Sequence, residues 1–296
     1  MTIAVSGSNG FTGRFVCMEL QRRRQSFVAL LRPGSDSSWM EARQIPVRFA
    51  DLNNAVQLAE QLRGCRALLN VASIGFGAAP CVVEACQVAG VQRAVFVSTT
   101  AIFTQLNAGS KAVRQAAEAA IINSDLATTI LRPTMIYGTP GDRNMIRLVR
   151  WLDCYPFLPI FGNGRSLQQP VHVSDVAWAL VQTLKSPETI GRQFNLSGLE
   201  ALSFNDIVRI TTKTLGRRVY RFHVPEKAMV ALLQFSERIN ITLPIKSEQI
   251  LRLNEDKSFS HFEAHEAFGY SPKSFEEGIR EEVSLFHVGG DGLSSC

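Results

Sequence analysis

The sequence predicts an α/β protein built on a doubly wound parallel sheet, with a smaller C-terminal lobe. Three observations carry this reading. Apolar strand-like runs alternate with helix-like runs from Thr2 to Leu131, the pattern of strand–helix–strand units. The strand runs are apolar at nearly every position, as strands are when helices cover both faces of a sheet. The first run leads straight into Gly7-Ser8-Asn9-Gly10-Phe11-Thr12-Gly13, a glycine-rich turn of the kind that cradles phosphates. The composition agrees. The 296 residues are 46% hydrophobic and 19% charged, and mean hydropathy is +0.05. Such a chain is expected to be soluble and globular, which excludes disorder, collagen and coiled coil.

Taken in order, Thr2 to Val5 is a short apolar strand and Phe11 to about Gln25 a helix. Phe27 to Leu31 is the second strand, and Val47 to Phe49 a weak third that ends at Asp51-Leu52. Asn54 to Leu62 has helical spacing. Ala67 to Val71 is a strand and Pro80 to Ala89 a helix. Ala94 to Ser98 is a strand rich in β-branched and aromatic residues. Ser110 to Asn123 is alanine-rich and helical, and Ala127 to Leu131 is again a strand. Pro133 to Pro140 ends the regular alternation.

Beyond it, Met145 to Leu152 reads as a helix. Pro156 to Gln169 holds two glycines and two prolines and reads as a loop or lid. Val171 to Val173 is extended, and Ser174 can cap a helix to about Leu184. Phe194 to Leu196 is a strand candidate, and Ser203 can cap a helix over Phe204 to Leu215. Val219 to Val224 is extended, and Pro225 suits the first turn of an apolar helix. Further helices are expected near Ser247 to Leu253, Phe259 to Phe268 and Ser274 to Phe286, before a frayed tail. The expected division is a nucleotide-binding domain over 1–155, with later segments returning to it, and a substrate lobe over 156–296.

Several function classes drop out. No run of eighteen apolar residues occurs, so no membrane span is expected. The start lacks a basic region and a cleavage site, so a cytoplasmic location is expected. The net charge of +5 is dispersed apart from Arg22-Arg23-Arg24 and Arg217-Arg218, which read as solvated surface. No nucleic-acid module is evident, so no nucleic-acid partner is expected. Cys17, Cys65, Cys81, Cys86, Cys154 and Cys296 form no CxxC pair and read as reduced thiols. His261 and His265 are four apart but lack the HExxH order and a third ligand, so no metal is expected.

The glycine turn has a physical meaning at its place between strand and helix. Gly7 can supply the tight turn, Gly10 lets the backbone approach a pyrophosphate, and Gly13 permits close helix–sheet contact. Asn9, Phe11 and Thr12 share the turn, and the helix start offers free N–H groups to phosphate charge. After the second strand, an acid would favour the ribose 2′-hydroxyl of NAD. Arg32 stands there instead, with Ser35 nearby, and can pair with a 2′-phosphate. NADP is therefore the preferred cofactor, with NAD as the other option. Asp51 and Leu52 can approach the adenine, and Val71, Ala72 and Ser73 can border the cofactor at the next strand end.

Further motifs are Val97-Ser98-Thr99-Thr100, Leu131-Arg132-Pro133-Thr134-Met135-Ile136-Tyr137-Gly138, Gln169-Pro170-Val171-His172-Val173-Ser174-Asp175-Val176 and the segment Gly269 to Gly278. With the glycine turn, they make the chain resemble the extended short-chain dehydrogenase/reductase superfamily. More narrowly, it resembles the NAD-dependent epimerase/dehydratase family, with features of atypical NAD(P)H-binding members. The resemblance implies a Rossmann-like domain, a nicotinamide cofactor and a small-molecule substrate in the C-terminal lobe, and it permits a homodimer. It also implies a Ser/Thr, Tyr and Lys set for moving a proton alongside a hydride. Thr99 matches the residue that orients a substrate oxygen, and Lys111 the lysine that holds the nicotinamide ribose. The tyrosine's place, four residues before Lys111, is Asn107, which cannot form a phenolate. Thr100, Thr104, Tyr137 or a bound water are the substitutes, with Tyr137 the best phenol by chemistry. Pro133, Thr134 and Met135 border the nicotinamide side, and His172 reads chiefly as structural polarity.

The leading expectation is an NADP-preferring oxidoreductase acting on a small carbonyl or alcohol compound, with Thr99, Lys111 and Tyr137 as its catalytic candidates. One alternative is a dinucleotide-binding or redox-sensing protein without turnover, motivated by Asn107. Another is a nucleotide-sugar epimerase or dehydratase that uses the cofactor transiently.

Overall fold

The computed structural model describes residues 2–106, 109–227, 229–231, 233 and 247–289. The first half runs β1 (Thr2–Ser6), α1 (Phe11–Arg22), β2 (Phe27–Leu31), a short α2 (Ser38–Glu41), β3 (Val47–Phe49) and α3 (Ala55–Leu62). It continues with β4 (Cys65–Asn70), α4 (Ala79–Ala89), β5 (Arg93–Val97), α5 (Gly109–Ile122) and β6 (Ala127–Pro133). The second half runs β7 (Ile136–Tyr137), α6 (Met145–Cys154), β8 (Phe157–Phe161), β9 (Leu167–Gln168), β10 (Val171–His172) and α7 (Val173–Thr183). After these come β11 (Gln193–Leu196), β12 (Leu202–Ser203), α8 (Phe204–Leu215) and β13 (Tyr220–Val224). The last described helices are α9 (Ser247–Asn254), α10 (Phe262–Phe268) and α11 (Phe275–Val288).

Seven parallel strands form the central sheet in the order β11-β6-β5-β4-β1-β2-β3. Its inner strands β1, β2, β4 and β5 are mostly apolar because both faces are covered. On one face, Val16 and Leu20 of α1 meet Val176 and Leu180 of α7 and Phe268 of α10. On the other, Leu58 and Leu62 of α3 pack with Val82 and Cys86 of α4 and Ile121 of α5. A third core builds the C-terminal lobe from Ile146 and Val149, Leu158 and Ile160, Ile207 and Val208, and Ile279 and Val283. The strand order reverses between β1 and β4, which opens a crevice beyond their carboxyl ends, the usual ligand position in such sheets.

The expected fold class is observed: a doubly wound Rossmann-like sheet with a C-terminal lobe. The returning segments are β11, at the sheet edge beside β6, and α7 and α10, on one face. Two local readings need correction. The segment from Pro156 to Gln169 is not all loop: β8 pairs in parallel with β13, and β9 pairs with β12. Pro159 is tolerated because β8 has a single strand partner, so half its N–H groups face none. The cap of α7 is His172 rather than Ser174; its ring accepts from the Ser174 N–H. Ser203 caps α8 as expected, and Ser274 caps α11 in a reciprocal capping box with Glu277. The helix expected from Pro225 falls partly outside the described residues, as do Cys296 and most of the tail. Cys17, Cys65, Cys81 and Cys86 carry free thiols, whereas Cys154 is disulfide-bonded, so the reading of six reduced thiols does not hold there.

Candidate active site

The glycine turn is held by backbone contacts that only glycine permits. Gly7 has φ +66°, and a Cβ there would lie 2.5 Å from the Ala72 nitrogen. A Cβ on Gly13 would lie 2.1 Å from the Gly7 oxygen, so α1 could not pack against the turn. Gly10 differs: its Cβ would meet only the Gly7 oxygen, at 3.2 Å, and otherwise open space. Gly10 also starts α1 with no side-chain cap, and no acidic residue occupies the first turn. The free N–H groups and the positive end of the helix dipole are thus left for an anion.

Asn9 ties this turn to the end of β2. Its Nδ2 donates to the Asp36 carbonyl at 2.8 Å, and its Oδ1 accepts from Arg14 Nη2 at 2.7 Å. The Arg14 guanidinium also lies over the Trp39 ring, 5.1 Å from its centroid, while Arg43 lies over the same ring at 4.2 Å. Arg32 is exposed at the end of β2. Asp36 is held below the usual carboxylate range by the Ser38 N–H, the Ser38 hydroxyl and then Arg14. Two arginines therefore flank the turn, of which Arg14 was not foreseen.

A cleft of about 570 Å³ opens over the carboxyl ends of β1, β4, β5 and β6. Gly7, Gly10, Phe11, Thr12, Gly13 and Val71 line its near half, with Thr99, Thr134 and Met135 at its middle. The far half is made of charged and polar side chains, Gln168 and then Arg252, Glu255, Asp256 and Lys257 at the end of α9; Arg114 of α5 and Arg143 and Asn144 before α6 also line the cleft. Lys257 is fixed by its backbone N–H donating to Leu167 O at 2.7 Å. Its Nζ donates to the Arg252 carbonyl. Burial holds the Lys257 ammonium below the usual lysine range; Arg252 adds to that, and Glu255 opposes it. The Glu255 carboxylate accepts from the Thr104 hydroxyl at 2.8 Å and the Gln105 N–H at 2.7 Å, which ties the loop after β5 to the end of α9.

Other expected site residues lie outside the cleft lining. The Lys111 ammonium donates to Thr104 O at 2.7 Å and steadies that same loop. Asn107 lies outside the described residues. Asp51 accepts from the N–H and the side chain of Asn53, and neither it nor Leu52 is among the lining residues. Ala72 O accepts from Asn70, Ser73 Oγ caps the turn at Gly75, and Pro133 O accepts from Thr100 Oγ1 at 3.4 Å.

Tyr137 is not brought to the cleft. It is 1% exposed, and its hydroxyl donates to Phe275 O at 3.4 Å. Burial, and next the nearby Glu282, push its phenol well above the usual range, so it is poorly placed to exchange a proton. His172 packs edge-on against it, with burial pushing the imidazole down to about 4. Its Nδ1 sits 2.7 Å from Ser174 Oγ, which supports the structural reading of this histidine. Below Tyr137, the fully buried Glu282 carboxyl faces Asp142. Burial first, then Asp142, push it up to about 10. Asp142 in turn accepts the Asn144 N–H at 2.7 Å, which positions the loop that carries Arg143 into the cleft. None of the four tyrosines lines the cleft: Tyr270 is buried with its hydroxyl on Ser197 O, and Tyr155 and Tyr220 lie on the far surface of the lobe.

Sequence reasoning missed the far half. The run Asn254-Glu255-Asp256-Lys257, between two helix patterns, was its only trace. Among the described residues no group of His, Cys, Asp and Glu suits a metal ion, and no helix is long and apolar enough to cross a membrane.

A family model described as NAD(P)H-binding matches residues 7–187. The chain is 29% identical to NADH dehydrogenase (ubiquinone) 1 alpha subcomplex subunit 9, mitochondrial, of Arabidopsis thaliana over 170 residues, 56% of this chain and 42% of that protein. It spans less than half the length of that relative. It is 23% identical to 2-alkyl-3-oxoalkanoate reductase of Stenotrophomonas maltophilia, across 95% of this chain and 98% of that one. In fold it matches a nucleoside-diphosphate-sugar epimerase of Pseudomonas aeruginosa with a TM-score of 0.80, at 16% identity and 98% of both chains. It also matches UDP-glucuronic acid 4-epimerase of Bacillus cereus in complex with NAD, with a TM-score of 0.75, at 17% identity, over 97% of this chain and 99% of that one.

Proposed function

Because the chain belongs to the NAD(P)H-binding family, we propose that it is a nicotinamide-dependent enzyme acting on a nucleotide-sugar, as an epimerase or dehydratase. The fold likeness to sugar-nucleotide epimerases favours this alternative over the small carbonyl or alcohol oxidoreductase expected first. One observation carries it. Besides the glycine turn, the cleft is lined by Arg114, Arg143, Arg252 and Lys257, against Glu255 and Asp256. Four cations suit a second diphosphate better than they suit a small neutral carbonyl compound.

In this reading the free first-turn N–H groups of α1 receive the dinucleotide pyrophosphate, and Gly10, whose own N–H donates to Gly7 O at 3.0 Å, leaves room for it. Arg32 and Arg14 reach the adenosine ribose, which supports NADP as the preferred cofactor with NAD as the second. When bound, a nicotinamide accepts and returns hydride at a sugar carbon. Thr99 orients the reacting hydroxyl from the middle of the cleft. Lys111 holds the loop after β5 through Thr104, and Lys257 is the protonable group with a depressed pKa on the substrate side. Pro133, with Thr134 and Met135, shapes the floor. A nucleotide-binding domain over 1–155, to which later segments return, a substrate lobe mainly over 156–296, and a cytoplasmic location are part of the same proposal; cell fractionation checks the last.

Calorimetric titration tests the reading. NADP is expected to bind more tightly than NAD, and UDP-glucose to bind more tightly once the dinucleotide is present. Failure of both dinucleotides to bind overturns it. The absence of tyrosine from the cleft lining favours a second reading, dinucleotide binding without turnover. That reading gains if NADP binds but no hydride exchange occurs with any nucleotide-sugar offered.

A further inference from the structure

The lobe carries an aromatic patch that the cleft does not use. At the end of α6, Trp151 and Tyr155 have ring centroids 4.6 Å apart, and Phe157 at the start of β8 lies 6.0 Å from Tyr155. The Trp151 indole N–H donates to Phe157 O at 2.8 Å, which fixes the ring against the strand edge. The parallel register sets Tyr220 beside Phe157 and Phe222 beside Pro159. Partnered residues of a strand pair point to the same side, so Tyr220 and Phe222 extend the same face. The opposite side of β8 supplies Leu158 and Ile160 to the lobe core. Five aromatic side chains thus share one surface, and they are exposed: Trp151 by 38%, Tyr155 by 42%, Phe157 by 46%, Tyr220 by 79% and Phe222 by 49%. Scattered exposed apolar residues need no explanation, but a contiguous patch of large rings marks an interaction surface.

The charge around the patch indicates what it meets. The stretches 147–161 and 216–224 contain five arginines and one carboxylate, Asp153; Arg147, Arg150, Arg217 and Arg218 lie in the segments that lead into the exposed rings, whereas Arg221 pairs with Leu158 on the opposite side and donates to Asn205 O at 3.3 Å. Asp153 is engaged by Arg217 at 2.9 Å. Tryptophan and tyrosine rings settle at the headgroup level of a bilayer, and arginine forks match phosphate oxygens. No helix among the described residues crosses a membrane, so contact would be with the surface. We propose that this face, built from the end of α6 and the β8–β13 ribbon, docks the protein on an anionic lipid bilayer.

The test uses the full chain and co-sedimentation with vesicles of phosphatidylcholine alone or mixed with phosphatidylglycerol. Binding is expected only to the anionic vesicles, and to weaken as salt rises. The pair Arg147→Glu and Arg218→Glu is expected to lower it by about tenfold or more, since each basic residue near the surface adds comparably. The pair Tyr220→Ser and Phe222→Ser is exposed, so it should leave the melting temperature and NADP binding unchanged while lowering vesicle binding. Equal binding to neutral vesicles, no binding to either, or unaltered binding by both variants overturns the proposal. So does a dimer, seen by light scattering, that the serine pair dissociates, because the occupant would then be a second copy of the chain.

Discussion

The two halves of the cleft are built on different principles. The near half is backbone: Gly7, Gly10 and Gly13 shape it within seven consecutive residues, and its ligand groups are N–H donors at a helix start. The rest of the cleft is side chain, and its pieces come from α5, the loop before α6, and the end of α9. The near half is rigid because a Cβ at Gly7 or Gly13 would collide with backbone. The rest stands on a titratable seam, where Glu282 faces the Asp142 that positions Asn144. A common cofactor is thereby met by fixed backbone, and a particular substrate by replaceable side chains.

The largest expected effect breaks the near half. Gly13→Ala places a Cβ 2.1 Å from Gly7 O. It should cost about 3 kcal/mol by overpacking and abolish NADP binding, as read by denaturant unfolding and calorimetry. A normal stability would refute the contact.

Next is the seam. Glu282 has an ordinary pKa of 4.5 and a folded value of about 10. Between these, the unfolded chain loses the proton while the folded chain keeps it, so stability falls as pH rises through that window. Glu282→Gln removes the penalty. The variant should match the parent near the low end of that window and exceed it by about 2 kcal/mol at mildly alkaline pH. UDP-glucose affinity should become less pH-dependent, with NADP affinity unaffected. A constant stability difference at every pH would sink this account.

Smaller effects separate the ligands. Arg14→Ala should weaken NADP by about tenfold, about 1.4 kcal/mol, and barely change NAD; equal loss of both would show that Arg14 only braces the turn. Lys257→Met should weaken UDP-glucose by about fivefold, about 1 kcal/mol, and leave NADP alone. A drop in NADP affinity would place Lys257 on the wrong side of the comparison.

The same contrast explains what the sequence disclosed. Gly7, Gly10 and Gly13 act within one turn, so their spacing was enough to place them. The sheet was legible because each apolar strand run is a local pattern. Lys257 was not, because its place follows from a bridge to Gln168, far away in sequence. Tyr137 was misplaced for a related reason: the motif around it fixes the backbone position, but Phe275 and Gly278 of α11 bury the ring, and a Cβ on Gly278 would lie 2.1 Å from the phenol oxygen. The β8 strand was hidden by Pro156 and Pro159, whose tolerance depends on having a single neighbour in β13.

The strand order also has a consequence for synthesis. β6 ends at Pro133, yet its outer neighbour β11 begins at Gln193. A ribosome adds about 5–20 residues each second, so a nascent chain carries an open β6 edge for several seconds before its partner emerges. An unpaired edge is a template for another chain. Chaperone demand should therefore concentrate on that interval of translation, and slowing elongation between the two strands should lower the yield of protein that escapes aggregation.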